Sequence, residues 1–308
     1  MSNRPWSPSS NQIYEEDFLG FSYGFSSAGC VLVDKSWLIK FVEHRVADPR
    51  ILRLIQKWLN AGVMEEGKWS EMRTGTPQGS VISPTLANIY LHYTFDLWVD
   101  VWRTKYAQGD VVVVRYADDI VLGFQHQAEA DRFLEKFRER LGKFGLELHP
   151  DKTRRIEFGR YAEQNRERRG EGRPETFDFL GFTHISGKNG KGYFTVKRRT
   201  IRKRMRGKLQ QIKQQLRKRM HDPVPHTGEW LKSVVQGYFN YHAVPGNMDS
   251  LRVFRARVTR LWRRILLCRS QTHRLPAARM YALEKRWLPV PRALHPYPEH
   301  RFAASHPR

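Results

Sequence analysis

The chain has 308 residues, 40% of them hydrophobic, and 54 Lys+Arg against 31 Asp+Glu give it a net charge of +23. That length can bury one large core or two to three smaller ones. No apolar run reaches the roughly eighteen residues of a membrane span. Residues 1–11 are polar, with Pro5 and Pro8 in place of the apolar core of a signal peptide, so a cytoplasmic protein is expected. Cys30 and Cys268 lie far apart and form no CxxC pair, which argues against a disulfide framework or a zinc knuckle. The charge is unevenly spread. Residues 1–150 hold 17 Lys+Arg and 19 Asp+Glu, whereas residues 151–308 hold 37 and 12. An excess of cations concentrated in one half points to a polyanionic partner, nucleic acid above all. The plainer alternative is a ribosomal-type or membrane-surface basic protein.

In chain order, Ile13–Phe25 is aromatic-rich and punctuated by Gly20 and Gly24, and a small-residue seam, SSAGC, follows. Asp34 has the chemistry of a helix N-cap ahead of WLIKFVEHR, whose Leu38, Phe41 and Val42 share a face. Ile51, Leu54, Ile55, Trp58 and Leu59 predict a second helix near 49–61, ended by Gly62. GTPQGSVISP (75–84) reads as a loop and residues 86–102 as one long amphipathic helix. VVVVRYADDIVLGF (111–124) reads as a β-hairpin with its acidic residues at the turn. Phe133, Phe137 and Leu141 predict a helix over 127–144, residues 146–159 read as strand, turn and strand, and 160–176 as a charged loop. Short strands are expected at 177–185 and 192–198 around the turn GKNGK. Helices are expected at 200–220, where Ile201, Met205, Leu209, Ile212 and Leu216 form the apolar face, and at 230–244 and 250–268. The tail after 286 is rich in Pro and His. The pattern is therefore α+β up to about residue 200 and helical beyond it.

Two adjacent carboxylates at a hairpin turn repel each other, and a divalent cation is the usual compensation. Mg²⁺ is commonly held by one or two carboxylates together with substrate phosphates, and paired ions can serve nucleotidyl transfer. A solvated Asp-Asp turn is the bland reading of Asp118 and Asp119 taken alone. They do not stand alone. GTPQGSVISPTLANIYL, YADD, LELHPDKT and FDFLGF follow one another in the order of the palm motifs of reverse transcriptases. IYEEDFLGFSYGF resembles the fingers segment of group II intron-encoded proteins, and WLKSVVQGYFNYHAVPGN resembles their maturase (domain X, thumb) signature.

This resemblance, which runs from Ile13 onward, implies a right-hand polymerase palm with partial fingers, followed by an all-helical thumb. The boundaries it implies are 1–12 for a non-matching leader, 13–74 for a fingers and palm remnant, 75–185 for the palm, and 186–308 for the thumb/maturase region and basic tail. It implies RNA-directed DNA synthesis with Mg²⁺ (or Mn²⁺) and dNTPs on an RNA template with a DNA primer, and binding of intron RNA. By the resemblance, Asp118 is the main metal ligand and catalytic residue, with Asp119 an accessory. Tyr116 lies at the primer end, Gln78 and Gly79 at the template and incoming nucleotide, Lys152 beside phosphate, and Leu180 and Gly181 against the primer. The cations of the two basic helices, Arg202, Lys203, Arg204, Arg255, Arg260 and Arg263, are the expected RNA-binding set.

The chain also departs from the family. Several dozen residues that normally separate SYGF from the helix WLIKF are missing, among them the strand bearing the first catalytic aspartate in a D-I-x-x-F-F setting. Asp34 is either the N-cap of the following helix or a remnant of that strand, and the need for a cap favours the first. This copy is accordingly expected to be impaired in catalysis, and a non-catalytic RNA-binding maturase remnant is the alternative. His221, His226, His295 and His300 have no companions at zinc spacing and read as solvated.

Overall fold

The computed structural model describes residues 34–60, 63–65, 68–70, 83–190, 192–269 and 275–296. The chain divides into two compact units, Met1–Gly172 and Arg173–Arg308. Helix and strand are mixed in both, and no described helix is long and apolar enough to cross a membrane.

The described part of the first unit begins at Asp34, whose Oδ1 accepts hydrogen bonds from the backbone N–H of Ser36 (2.8 Å) and Trp37 (3.4 Å) and so caps α1 (Lys35–Glu43). Asp48 caps α2 (Pro49–Asn60) in the same way through Arg50 N–H at 2.8 Å. A short antiparallel pair, β1 (Val63–Glu65) and β2 (Lys68–Ser70), follows. The expected long helix is divided into α3 (Ser83–Leu91), a π-helical turn over His92–Asp96, and α4 (Leu97–Lys105). Thr94 helps to reroute the backbone, because its buried hydroxyl donates to the Tyr90 carbonyl one turn back. Arg140 donates to the carbonyls of Tyr93 and Thr94 within the wide turn.

The hairpin of β3 (Val111–Tyr116) and β4 (Asp119–Phe124) lies beside α5 (Gln127–Gly142). Among the described residues these two strands form a sheet of two, although Ile120 to Phe124 are all buried. Phe95, Trp98, Trp102, Phe124, Phe133 and Phe137 make a continuous aromatic core behind the hairpin, with ring centroids 4.9–5.9 Å apart. The expected strand pair over 146–159 is absent. Leu146, Ile156 and Phe158 are buried, but without strand pairing, so their apolar spacing served burial and not a ladder. The expected loop 160–176 contains α6 (Ala162–Arg168), tied down by Arg169, which pairs with Glu157 and Glu171.

In the second unit an antiparallel sheet, β5 (Phe177–Phe179), β6 (Phe182–Lys188) and β7 (Phe194–Thr200), leads into four helices: α7 (Arg202–Lys218), α8 (Val224–His242), α9 (Met248–Leu267) and α10 (Ala277–Trp287). The segment 186–308 is therefore not all helical, since β6 ends in it and β7 lies wholly within it; seven register pairs hold the two strands together. The α7 stripe is as expected from Met205 onward, with Met205, Leu209, Ile212 and Leu216 buried against Leu231, Val235, Phe254, Val258 and Trp262, whereas Ile201 is the half-buried N-cap residue ahead of the helix. Helix α10 was not anticipated. Its residues are good helix formers, but only Met280 is deeply buried, so its apolar period is weak.

His184 on β6 is buried at 5% exposure and stacks flat on Phe177, with a centroid distance of 4.8 Å. Its Nδ1 has no hydrogen-bond partner. Burial, reinforced by the charge of Arg198, pulls its pKa down to about 4. The fold therefore holds the neutral ring, while the unfolded chain takes up a proton near the ordinary histidine pKa of ~6.5. Stability from this group is complete above pH ~6.5 and is lost as pH falls toward 4, at most about 3 kcal/mol. Urea midpoints of the full chain at pH 7.5, 6 and 4.5 should fall in that order, and His184→Leu should flatten much of the decline. A midpoint unchanged over this range would contradict the assignment.

Candidate functional site

The YADD turn is built by a two-residue connection. Tyr116 pairs with Asp119 across the hairpin, so Ala117 and Asp118 make the turn between them. Ala117 adopts a left-handed conformation, φ 54°, which costs a residue with a Cβ about 1–2 kcal/mol. Arg115 holds it there. One guanidinium nitrogen of Arg115 donates to the Ala117 carbonyl at 3.0 Å and to Asn88 Oδ1 of α3 at 2.9 Å. The other two grip the Asp96 carboxylate at 2.7 and 2.6 Å, at the last residue of the π turn. The wide turn thus places a carboxylate where a single arginine can tie helix, hairpin and strained turn together.

Asp118 and Asp119 emerge half-buried from this frame, and Tyr116 is 55% exposed beside them. Among the described residues no group of three or more His, Cys, Asp or Glu comes together to hold a metal. The pair fits a Mg²⁺ ion whose other ligands come from substrate and water, the usual mode for this cation. It does not by itself fill the donor set of two ions. Asp34 is occupied at the start of α1, where the Ser36 hydrogen bonds hold its carboxyl below the usual carboxylate range. Lys152 is exposed in the turn after α5. Gln78 and Gly79 lie outside the described residues.

In the second unit Leu180 and Gly181 form the turn between β5 and β6, both with positive φ (45° and 85°), as a type I′ hairpin turn requires. Leu180 is strained there. Its carbonyl accepts from the Tyr241 hydroxyl at 2.6 Å, and the Gly181 carbonyl accepts from Ile201 N–H at 3.1 Å, so α8 and the start of α7 hold the turn. Arg202, Lys203 and Arg204 are exposed in the first turn of α7, which contains no acid. Cations at the positive end of a helix dipole are unfavourable unless an anion offsets them. Arg260 and Arg263 are exposed on α9. Arg255 is engaged within the fold. Its guanidinium is half-buried, pairs with Glu284 and donates to the carbonyls of Pro289 and Leu288, bracing the segment after α10.

Residues 32–184 match the family model of the reverse transcriptase (RNA-dependent DNA polymerase). The segment includes both aspartates and the turn at Gly181. Protein YkfC of Escherichia coli is 34% identical over 38% of this chain and 38% of its own length. The group II intron-encoded protein LtrA of Lactococcus lactis is 42% identical over 20% of this chain and 10% of its own. Over the matched segment the chain is similar to reverse transcriptases, including a group II intron-encoded one. An uncharacterized 91 kDa protein in the cob intron of Schizosaccharomyces pombe is also similar, at 49% identity over 18% of this chain and 7% of that one. The chain spans well under half the length of each of these proteins. Neither the Arg115–Asp96–Asn88 frame nor the Tyr241 brace was apparent from the sequence. The one available signal was an arginine in an otherwise apolar strand, VVVVRY, since such a residue is seldom placed against a core without partners.

Proposed function

We propose that the chain is an RNA-directed DNA polymerase of the group II intron type that also binds intron RNA as a maturase, with polymerisation impaired in this copy and RNA binding retained. The hairpin that gathers Tyr116, Asp118 and Asp119 within the matched segment carries this reading. In it, residues 13–74 are what remains of fingers and palm, 75–185 are the palm of a right-hand polymerase, and 186–308 are the thumb and maturase region. The first unit brings the carboxylates, and the basic second unit, with Arg202, Lys203, Arg204, Arg260 and Arg263, brings the RNA-binding surface. Bound Mg²⁺ would supply positive charge to the phosphates of primer and dNTP. Asp118 and Asp119 would hold that ion, Arg115 would fix the turn that aims them, Tyr116 would offer a ring to the primer end, and Lys152 would neutralise a phosphate. Gln78 and Gly79 would line the template and nucleotide, and Leu180 and Gly181 would support the primer.

The impairment is supported by three observations. No D-I-x-x-F-F pattern occurs in the sequence, the run from SYGF to WLIKF is short, and Asp34, the acidic residue of that run, is engaged as a cap. The alternative, an RNA-binding maturase remnant with no chemistry at all, rests on the same observations. Purified full-length chain, given an RNA template, a DNA primer, dNTPs and Mg²⁺ or Mn²⁺, should show no template-dependent addition. It should still bind RNA, with an affinity that falls steeply as salt rises, because each neutralised phosphate contributes roughly 0.7–0.9 to the log–log slope. Extension that Asp118→Ala abolishes would overturn the impairment and establish the polymerase. Affinity indifferent to salt would overturn the RNA-binding half.

A further inference from the structure

Between α7 and α8 the second unit has an open pocket of about 430 Å³, lined by Arg204, Lys208, Ser233, Gly237, Tyr241 and His242, with Tyr238 and Val234 completing the wall. Its size falls in the roughly 300–1,000 Å³ range of ligand sites. Among the described residues no acidic side chain lines it. Arg204 and Lys208 stand one helical turn apart on α7, so two like charges face the same space, and an anion between them would relieve their repulsion.

The opposite wall is aromatic and rigid. Tyr241 is 50% exposed, yet its ring is fixed from behind. Its hydroxyl donates to Leu180, its ring lies against Phe182 at 5.8 Å and 17°, and His242 meets its edge at 4.8 Å. A platform held in this way loses little freedom when a base stacks on it. Tyr238 is 8% exposed, and its buried hydroxyl meets the Thr200 hydroxyl. The Thr200 hydroxyl accepts from the Asn247 amide, which keeps the Tyr238 end of the wall fixed to the fold.

We propose that this pocket binds one unpaired nucleotide, its phosphate on Arg204 and Lys208 and its base against Tyr241. The proposal rests on the RNA-binding reading above and narrows it. A base engaged in a duplex cannot enter a concave wall to stack, whereas a splayed base can, and stacking on fixed aromatics is how unpaired strands are held. The nucleotide could be part of a strand or free, and the two sources are separable.

Gly237 supplies the test. A Cβ at this exposed helical position would meet nothing within 4 Å. Gly237→Leu therefore fills the pocket while raising helix propensity, so loss of fold is not the expected consequence. Full-length wild type and Gly237→Leu would be titrated with a fluorescent uridine hexamer and with a blunt RNA duplex. The variant should bind the single strand between about fivefold and a hundredfold more weakly, the range that one stacked base supplies, and the duplex within about twofold of wild type. Arg204→Ala with Lys208→Ala should weaken the single strand as well. Displacement of the hexamer by UMP from wild type would identify the free nucleotide as a ligand, and no displacement would assign the site to a strand. Equal hexamer affinity in wild type and Gly237→Leu, or equal losses for hexamer and duplex, would overturn the pocket and leave the polymerase reading intact. A wild-type chain that binds neither RNA would overturn the RNA-binding reading and the pocket with it.

Discussion

Asn247→Ala is expected to destabilise the second unit by about 3–4 kcal/mol, a large part of a domain's total stability. Asn247 is fully buried and joins three elements. Its carbonyl oxygen accepts from Thr200 N–H at 3.0 Å at the end of β7. Its amide donates to the Thr200 hydroxyl and to the His242 carbonyl, both at 2.8 Å, where α8 ends just before α9. Alanine leaves the buried Thr200 N–H and the part-buried His242 carbonyl without this partner, and each such group costs roughly 1–3 kcal/mol when water does not replace it. Asn247→Asp should fare no better, because it keeps the acceptor, loses both donations and aims a carboxylate at a carbonyl. Urea unfolding followed by far-UV dichroism would measure the shift in midpoint at constant slope. A loss below about 1 kcal/mol would mean that relaxation or water satisfies these groups.

Arg115→Ala should cost a comparable amount, about 2–4 kcal/mol, and should also disturb the candidate metal site. The arginine is 12% exposed and its Asp96 partner 24%, so truncation leaves a carboxylate that is shielded over most of its surface with the weaker contact to His92 Nδ1 at 3.4 Å. It also releases the Ala117 carbonyl and with it the left-handed turn that aims Asp118. Arg115→Lys keeps the charge and loses the fork, so it should recover less than half of the stability. A purely structural arginine would change stability alone. A positioning arginine should also weaken Mn²⁺ binding, read by water proton relaxation in buffer where both variants remain folded. Asp118→Ala sets the floor for that measurement. Mn²⁺ affinity unchanged in folded Arg115→Ala would confine Arg115 to a structural role.

Much of the local architecture was legible because it rests on neighbours in sequence. Asp34 caps α1 with N–H groups two and three residues away, and the apolar stripe of α7 repeats at helical period. The Tyr116–Asp119 turn needed only two β-prone runs around a short polar link. Where partners lie far apart, periodicity said little. The π turn at His92–Asp96 has the same composition as the helix on either side of it, and it becomes visible only through Arg115, 19 residues beyond Asp96. Arg255 looked like its neighbours Arg252 and Arg257 until Glu284, 29 residues away, claimed it. Residues 146–159 alternated like strands but found no strand to pair with.

The sequence by itself determined the amphipathic helices, the acidic hairpin and the concentration of positive charge after residue 150, because each depends on side-chain type at short spacing. The tertiary structure alone decided which charges are free to meet a phosphate and which are consumed in holding the fold. Arg204 and Arg255 are the same residue type on similar basic helices. One lines an open pocket with no acid among the described residues of its wall, and the other is half-buried against a glutamate and two carbonyls. Desolvation and the reach of a long side chain across elements make that difference, and neither is written in local spacing.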